Sequence, residues 1–200
     1  GEAQDFVTAG KTVAAMFVSL RTLGRSKGVA RPALTALFPV KTGGKCAVID
    51  SGANADCRPD FLLQFAIMGS VYAQKVLNIE SPRVALLSNG EEAGKGNALV
   101  KESYPLLQAS GLNFIGNVEA KELFAGEADV VVTDGFTGNV LLKSSEAVGK
   151  MITDVLKKEI KSSLVSQLGA LMIMPALNKL KAMMDPAETG AAPLLGIDGL

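Results

Sequence analysis

The sequence predicts an α/β protein of three layers, αβα, on a mixed but mostly parallel sheet. Three observations predict it. Runs of β-branched and apolar residues alternate with helix-length segments along most of the 200 residues, the pattern of a parallel sheet covered on both faces. Four of those runs end in small, polar, glycine-bearing loops. The composition, 48% hydrophobic but only 5% aromatic with 21 Gly, suits cores of Val, Leu and Ala.

The elements follow in order. "DFVTA" (5–9) reads as a strand and 11–24 as a helix. "PALTALFPV" (32–40) and "KCAVIDSG" (45–52) are strands separated only by "KTGG". That gap is too short for a crossover helix, so the pair is expected as an antiparallel hairpin. Segment 59–78 opens with a proline suited to a first helical turn and is apolar on most faces, a central buried helix in which Met68 and Tyr72 are core. "RVALLSNG" (83–90) is a strand, and 95–110 is a helix that Pro105 should kink or divide. "NFIGN" (113–117) is a strand, 119–125 a helix, "ADVVVTDG" (128–135) a buried strand and 139–161 a helix.

The segment "SSLVSQLGALMIMPALNKLKAMMD" (162–185) holds four of the seven Met, is flanked by Lys157, Lys158, Lys161, Lys179 and Lys181, and is broken by Pro175. Two short amphipathic helices meeting near Met174–Pro175 would expose an apolar tip rimmed by positive charge, a pattern for an interfacial membrane contact. Leu171, Met172, Ile173, Met174 and Leu177 are the candidate contacts. The alternative is an ordinary dimer or core helix with adaptable Met packing. The expected division is a core over 1–161, a helical hairpin over 162–185 and a return segment over 186–200. The chain starts at Gly1 and stops at "GIDGL", which reads as a fragment lacking its outer strands.

Composition narrows function. Twenty basic residues balance twenty acidic ones, so sequence-independent nucleic-acid binding is disfavoured. The two cysteines, Cys46 and Cys57, form no disulfide framework, which points to a reducing cytosol. No apolar run approaches the roughly 18 residues of a spanning helix. There is no histidine, which excludes Ser-His-Asp and Cys-His catalysis and most zinc sites within this chain.

The glycine-bearing strand ends are "TAGKT" (8–12), "DSGANADCRPD" (50–60), "SNGEEAGKGN" (88–97) and "TDGFTGN" (133–139). In open α/β sheets ligands bind at the carboxyl ends of strands, where helix N-termini donate N–H groups to anions. Four such loops on one chain point to an anion site, although tight turns also need glycine on steric grounds alone.

"DSGANADCRPDFLLQFAIMGSVYA", "SNGEEAGKGN…KESY", "NFIGNVE", "ADVVVTDGFTGNVLLK" and "GAAPLLGIDG" resemble the acyl-acyl-carrier-protein:phosphate acyltransferase family, the PlsX-type enzymes of bacterial phospholipid synthesis. The resemblance runs over nearly the whole chain, with the motifs in family order. It implies a fold similar to phosphotransacetylases and to isocitrate and isopropylmalate dehydrogenases, with strands missing at both ends here. It also implies transfer of a fatty acyl group from acyl carrier protein to inorganic phosphate, in a cytoplasmic homodimer that touches the membrane through its helical hairpin. No metal, nucleotide or covalent cofactor is expected.

The chemistry suits these residues. Phosphate is already an anion and a thiol with a pKa of about 8.5 leaves readily, so positioning and oxyanion stabilisation are the main work. Lys95 is the candidate to neutralise phosphate or the oxyanion, with a solvated helix-start lysine as the alternative. Asn97 and Asn139 can donate carboxamide N–H groups, and Asn139 alternatively caps its helix. Asp134 would orient Lys95 or its loop. Gly94, Gly96, Gly135 and Gly138 would bring backbone close to phosphate, with Asn54 in the "GANADC" loop. Asn54 and Asp56 alternatively form turns. Cys57 as a nucleophile is disfavoured without a histidine to activate it, and Glu91 and Glu92 read as a solvated loop. The family's Gly-Asn-Thr-Gly after the first strand is here Gly10-Lys11-Thr12-Val13, so Gly10 and Thr12 are weaker phosphate contacts. Two other readings stand: a nucleotide-dependent dehydrogenase of related fold, disfavoured by the absence of G-x-G-x-x-G, and an inactive membrane-docking scaffold of lipid synthesis.

Overall fold

The computed structural model describes residue 10 and residues 12–184 and 192–198, the side chains of 12, 13, 183 and 184 excepted. The strand expected over 5–9, Lys11 of the divergent loop and most of the return segment lie outside the described residues.

Contacts divide the chain into two compact units, residues 1–139 with 191–200, and residues 140–190. The first unit holds a six-stranded sheet of order β4-β3-β5-β2-β1-β6. Its strands are β1 (Ala33–Pro39), β2 (Lys45–Ile49), β3 (Val84–Leu87), β4 (Phe114–Val118), β5 (Val130–Val132) and β6 (Leu194–Leu195). β1 and β2 form the expected antiparallel hairpin, registered Thr35 to Ile49 through Pro39 to Lys45. β2 pairs β5 in parallel, as do β5 with β3 and β3 with β4, while β6 pairs β1 antiparallel. The sheet is thus mixed and mostly parallel, as its sequence predicts.

Side-chain alternation sets the two faces. Ala47, Ile49, Val84, Leu86, Val130 and Val132 join a core cluster with Leu62 and Phe65 of α2 (Pro59–Lys75) and with Val100 and Leu107 of α3 (Ala98–Gln108). Their neighbours Cys46, Val48, Ala85 and Val131 are fully buried on the opposite face. There Phe38 meets Phe124 of α4 (Ala120–Ala125) edge to face at 5.9 Å between centroids.

α2 buries Leu62, Phe65, Ala66, Gly69, Ser70 and Ala73, a helical stripe laid on the sheet. Gly69 sets the approach: a Cβ there would stand 2.7 Å from Val130 Cγ1 and 2.9 Å from Ile49 Cγ1. α1 (Thr12–Thr22) precedes the hairpin. α3 stays continuous with Pro105 inside it and ends three residues later, so the proline costs a bond near the C-terminus rather than dividing the helix. Its start, at Ala98 rather than 95, is fixed by Asn97, whose side chain accepts from Val100 N at 2.9 Å. α4 carries a capping box between Glu119 and Glu122 and ends on Gly126 at φ 85°.

α5 (Gly135–Lys161) begins four residues before the expected 139 and passes into the second unit. α6 (Leu164–Met172) and α7 (Met174–Met184) follow. Ser163 caps α6 by accepting from Ser166 N at 3.0 Å. Ile173 separates α6 from α7, so the break falls beside Met174–Pro175. Leu171, Met172, Ile173 and Met174 are exposed, Met172 at 85%, and Leu177 is half-buried. Among the described residues no helix is long and apolar enough to cross a membrane.

Candidate active site

β2, β3 and β5 run parallel, so their carboxyl ends lie on one side of the sheet with loops 50–57, 88–97 and 133–135. The first loop is organised by Asp50, which is fully buried. Its Oδ1 accepts from the backbone N–H of Leu34 (3.0 Å), Gly52 (3.1 Å) and Ala53 (2.9 Å). Its Oδ2 accepts from Asn54 N (2.7 Å) and Asn54 Nδ2 (2.8 Å). A buried carboxylate is tolerated only with such a set of donors. Asn54 Nδ2 also donates to the Pro32 carbonyl at 2.8 Å. Asn54 is thereby buried and committed to loop structure, the turn-forming alternative to a phosphate contact.

The loop is then joined to α5. Gly135 N donates to the Asn54 carbonyl at 2.7 Å, and a Cβ on Gly135 would stand 2.7 Å from that oxygen. A Cβ on Gly138 would collide with the Asp50 carbonyl oxygen. These two glycines therefore serve backbone-on-backbone packing, which puts the first turn of α5 directly against the end of β2. Asn139, one turn in, is exposed, and a Cβ on Gly52 would lie 3.6 Å from its Oδ1. Asp134 caps α5: Oδ1 accepts from Thr137 N and Oδ2 from Thr137 Oγ1, each at 2.8 Å. Both of its oxygens are thus held by its own helix start, with no ion pair to Lys95.

Loop 88–97 is built differently. Asn89 Oδ1 accepts from Gly96 N at 2.9 Å, and Asn117 Nδ2 donates to the Glu92 carbonyl at 2.9 Å. Lys121 bridges Glu91, Glu119 and Glu122 at 3.3, 3.0 and 3.2 Å; its hydrogen bonds to Glu119, Glu122 and Glu91 raise its pKa. Gly96 takes φ 98°, a left-handed conformation that favours glycine. Gly94 is exposed. Lys95 is exposed, its stem lies over Gly90, and its ammonium has no partner among the described residues.

A cavity of about 360 Å³ joins the three loops, walled by Asp56, Cys57, Asn97, Leu99, Asp134 and Phe136. It brings Asn97 and Asp134 together. Gly10 precedes α1 and Thr12 opens it; the Thr12 side chain lies outside the described residues. Cys57 Sγ donates to the Asn54 carbonyl at 3.4 Å. Burial, and next the charge of Asp50, push its thiol up to about 12, so it stays protonated at neutral pH and is no nucleophile. Among the described residues no group of three or more His, Cys, Asp or Glu could hold a metal ion.

Sequence reasoning missed Asp50, Thr137 and Phe136. Asp50 had a legible signal, an Asp at a strand end followed at once by Ser-Gly, the start of an Asx-type turn. Phe136 carried none, because an aromatic beside a buried strand ordinarily reads as core.

A family model described as fatty acid synthesis protein matches residues 1–200. The phosphate acyltransferase of Elusimicrobium minutum is 51% identical over 200 residues, covering 100% of this chain and 58% of that protein. That of Thermus thermophilus is 52% identical over 200 residues, covering 100% and 61%. The chain thus spans about three fifths of the length of these relatives. Among solved structures, a phosphotransacetylase from Streptococcus pyogenes superposes with a TM-score of 0.56 at 18% identity, over 71% of this chain and 49% of that one. A branched-chain phosphotransacylase from Enterococcus faecalis gives 0.53 at 21%, over 67% and 55%; at such identities these two speak for the fold alone. The resemblance carried by the glycine-loop motifs is therefore borne out, and the chain belongs to the fatty acid synthesis protein family, alongside relatives named phosphate acyltransferase.

Proposed function

We propose that the protein of which this chain forms part transfers a fatty acyl group from acyl carrier protein to inorganic phosphate, giving acyl phosphate for phospholipid synthesis. The observation that carries the reading is the meeting of three loops at the carboxyl ends of β2, β3 and β5, one of them presenting the Lys95 ammonium, which has no partner among the described residues. The relatives' names support it and disfavour the dehydrogenase and scaffold alternatives.

A phosphate oxygen attacks the thioester carbonyl carbon, and a C–O bond forms as the carbonyl becomes an oxyanion. Collapse breaks the C–S bond and releases the thiolate, which takes a proton from water. Lys95 supplies positive charge to phosphate or the oxyanion, and Asn139 donates a carboxamide N–H without adding charge. Asp134 holds the first turn of α5 in place. Gly94 and Gly96 leave the backbone of the Lys95 loop open to phosphate, Gly135 and Gly138 bring the first turn of α5 up to the same strand ends, and Gly10 and Thr12 are outer contacts. Transfer is direct, since the Cys57 thiol stays protonated.

We further propose a cytoplasmic homodimer that docks on membranes through the α6–α7 tip. The exposure of Leu171, Met172, Ile173 and Met174 near Lys179 and Lys181 supports it.

The test mixes the full-length parent with long-chain acyl carrier protein and phosphate and traps acyl phosphate with hydroxylamine. Phosphate-dependent acyl hydroxamate, reduced about a hundredfold in Lys95→Ala, is the expected result. No product from the full-length protein would overturn the reading.

A further inference from the structure

The cavity between the three loops has the wrong charge for phosphate. Asp56 and Asp134 border it and no Lys or Arg does, so the only formal charges a phosphate dianion would face there are of its own sign. The anion belongs on the Lys95 side, which leaves the cavity for another part of the reacting pair. At about 360 Å³ it falls within the range of about 300–1,000 Å³ for small-molecule pockets.

Its walls state what that part must be. Phe136, in the first turn of α5, is 66% exposed although it follows a fully buried strand, and Leu99 forms a second apolar wall. Asn97 Oδ1 is engaged by Val100 N, but its Nδ2 makes no hydrogen bond among the described residues. The Asp56 carboxylate likewise accepts none. A ligand matching these walls is uncharged, carries amide N–H groups for Asp56 and amide carbonyls for Asn97, and has methyl or methylene surface for Phe136 and Leu99.

We infer that this cavity seats the neutral, amide-bearing arm of the thioester substrate, the pantetheine portion that carries the acyl group, and that Phe136 is the specificity-determining wall. The inference rests on the acyl-transfer reading and deepens it. It divides the two substrates by charge: phosphate on the Lys95 loop, the arm between α3 and α5. The reacting carbonyl then lies between Phe136 and Asn139, three positions apart and so on neighbouring ridges of α5.

The test uses the full-length parent and its Phe136→Ala and Phe136→Leu variants. Because the ring is exposed, both variants should melt close to the wild type. Two thioesters with the same palmitoyl chain are compared, S-palmitoyl-pantetheine and S-palmitoyl-N-acetylcysteamine, the latter lacking most of the arm. The wild type should favour the pantetheine thioester in kcat/KM by about tenfold or more, and Phe136→Ala should lose most of that preference, Phe136→Leu less. KM for phosphate should stay within about twofold. An unchanged arm preference in Phe136→Ala, or a KM for phosphate that rises in step, overturns the inference. So does a preference between palmitoyl and octanoyl thioesters that shifts while arm preference does not, which would put the acyl tail in the cavity. A wild type that forms no acyl hydroxamate from any thioester sinks the acyl-transfer reading instead.

Discussion

Loops 50–57 and 88–97 both leave parallel strands at the same side of the sheet and both carry glycines and asparagines, yet they are held in opposite ways. The first is drawn inwards around the buried Asp50 carboxylate, with five N–H donors on it, and its glycine-rich partner, the start of α5, packs on it through backbone atoms. The second stays in solvent. It is tied by Asn89, by Asn117 and by the exposed Lys121–Glu91 ion pair, and presents an ammonium that has no partner among the described residues. A buried anion that is fully bonded makes a rigid platform, whereas an exposed cation left unpaired remains available for a substrate. Stability and charge are thus assigned to separate loops.

That contrast predicts separable effects. The largest is expected from Asp50→Ala, which leaves the N–H groups of Leu34, Gly52, Ala53 and Asn54 without their acceptor. A loss of about 4 kcal/mol in urea unfolding should follow. A loss below about 1 kcal/mol would mean that the platform is not held by this carboxylate. Next comes Lys95→Ala, which should cost roughly a hundredfold in turnover of the full-length parent while its melting temperature barely moves. A matching loss of stability would erase the distinction between the loops. Gly138→Ala drives a Cβ into the Asp50 carbonyl. It should destabilise by about 2 kcal/mol through overpacking, and urea unfolding together with the acyl-transfer rate would show whether α5 and its Asn139 shift with it. Asn97→Ala removes the α3 N-cap and should cost about 1 kcal/mol, measurable by the same unfolding curves.

The smallest effect is one of pH. Burial, then the charge of Asp129, push the Cys46 thiol up to about 12, and burial, then Asp50, do the same to Cys57, against an ordinary value of 9.0. The unfolded chain therefore loses these protons before the folded one does. Their contribution to stability is complete below pH 9 and is lost as pH rises from 9 towards 12. Thermal unfolding followed across that window should show a falling melting temperature, and Cys57→Ser should flatten the decline.

Most of the fold was legible because its periodicities are strong. The "KTGG" gap settles the hairpin, and three successive valines followed by Thr-Asp-Gly announce a buried strand that stops. What escaped depends on long-range packing. Nothing local says that β5 inserts between β3 and β2, since strand order is decided by which edges meet. The start of α5 was placed late because Gly135 and Gly138 weigh against helix, a preference overridden by the Asp134–Thr137 cap and the tight contact with Asp50. Pro105 is expected from sequence to kink or divide its helix, yet with only three helical residues beyond it it removes one N–H bond, the one to the Lys101 carbonyl, and leaves too short a piece to form a second helix. At the site, residues with distinctive chemistry, Lys95, Asn97, Asn139 and Asp134, were legible as candidates. Their neighbours were not: whether Phe136 is core or wall depends on what stands opposite it.

The position of β5 also bears on how the chain is made. β2 and β3 do not pair with each other; only β5 joins them, and it is the last of the four parallel strands in chain order. During synthesis the β1–β2 hairpin and the β3–β4 pair emerge first, as two half-sheets whose inner edges have no neighbour until Val130–Val132 leaves the ribosome. Those open edges are the ones most prone to pair with another nascent chain. Slow translation just before residue 128 would lengthen that exposure, so the three valines act as the keystone of assembly as well as the centre of the finished sheet.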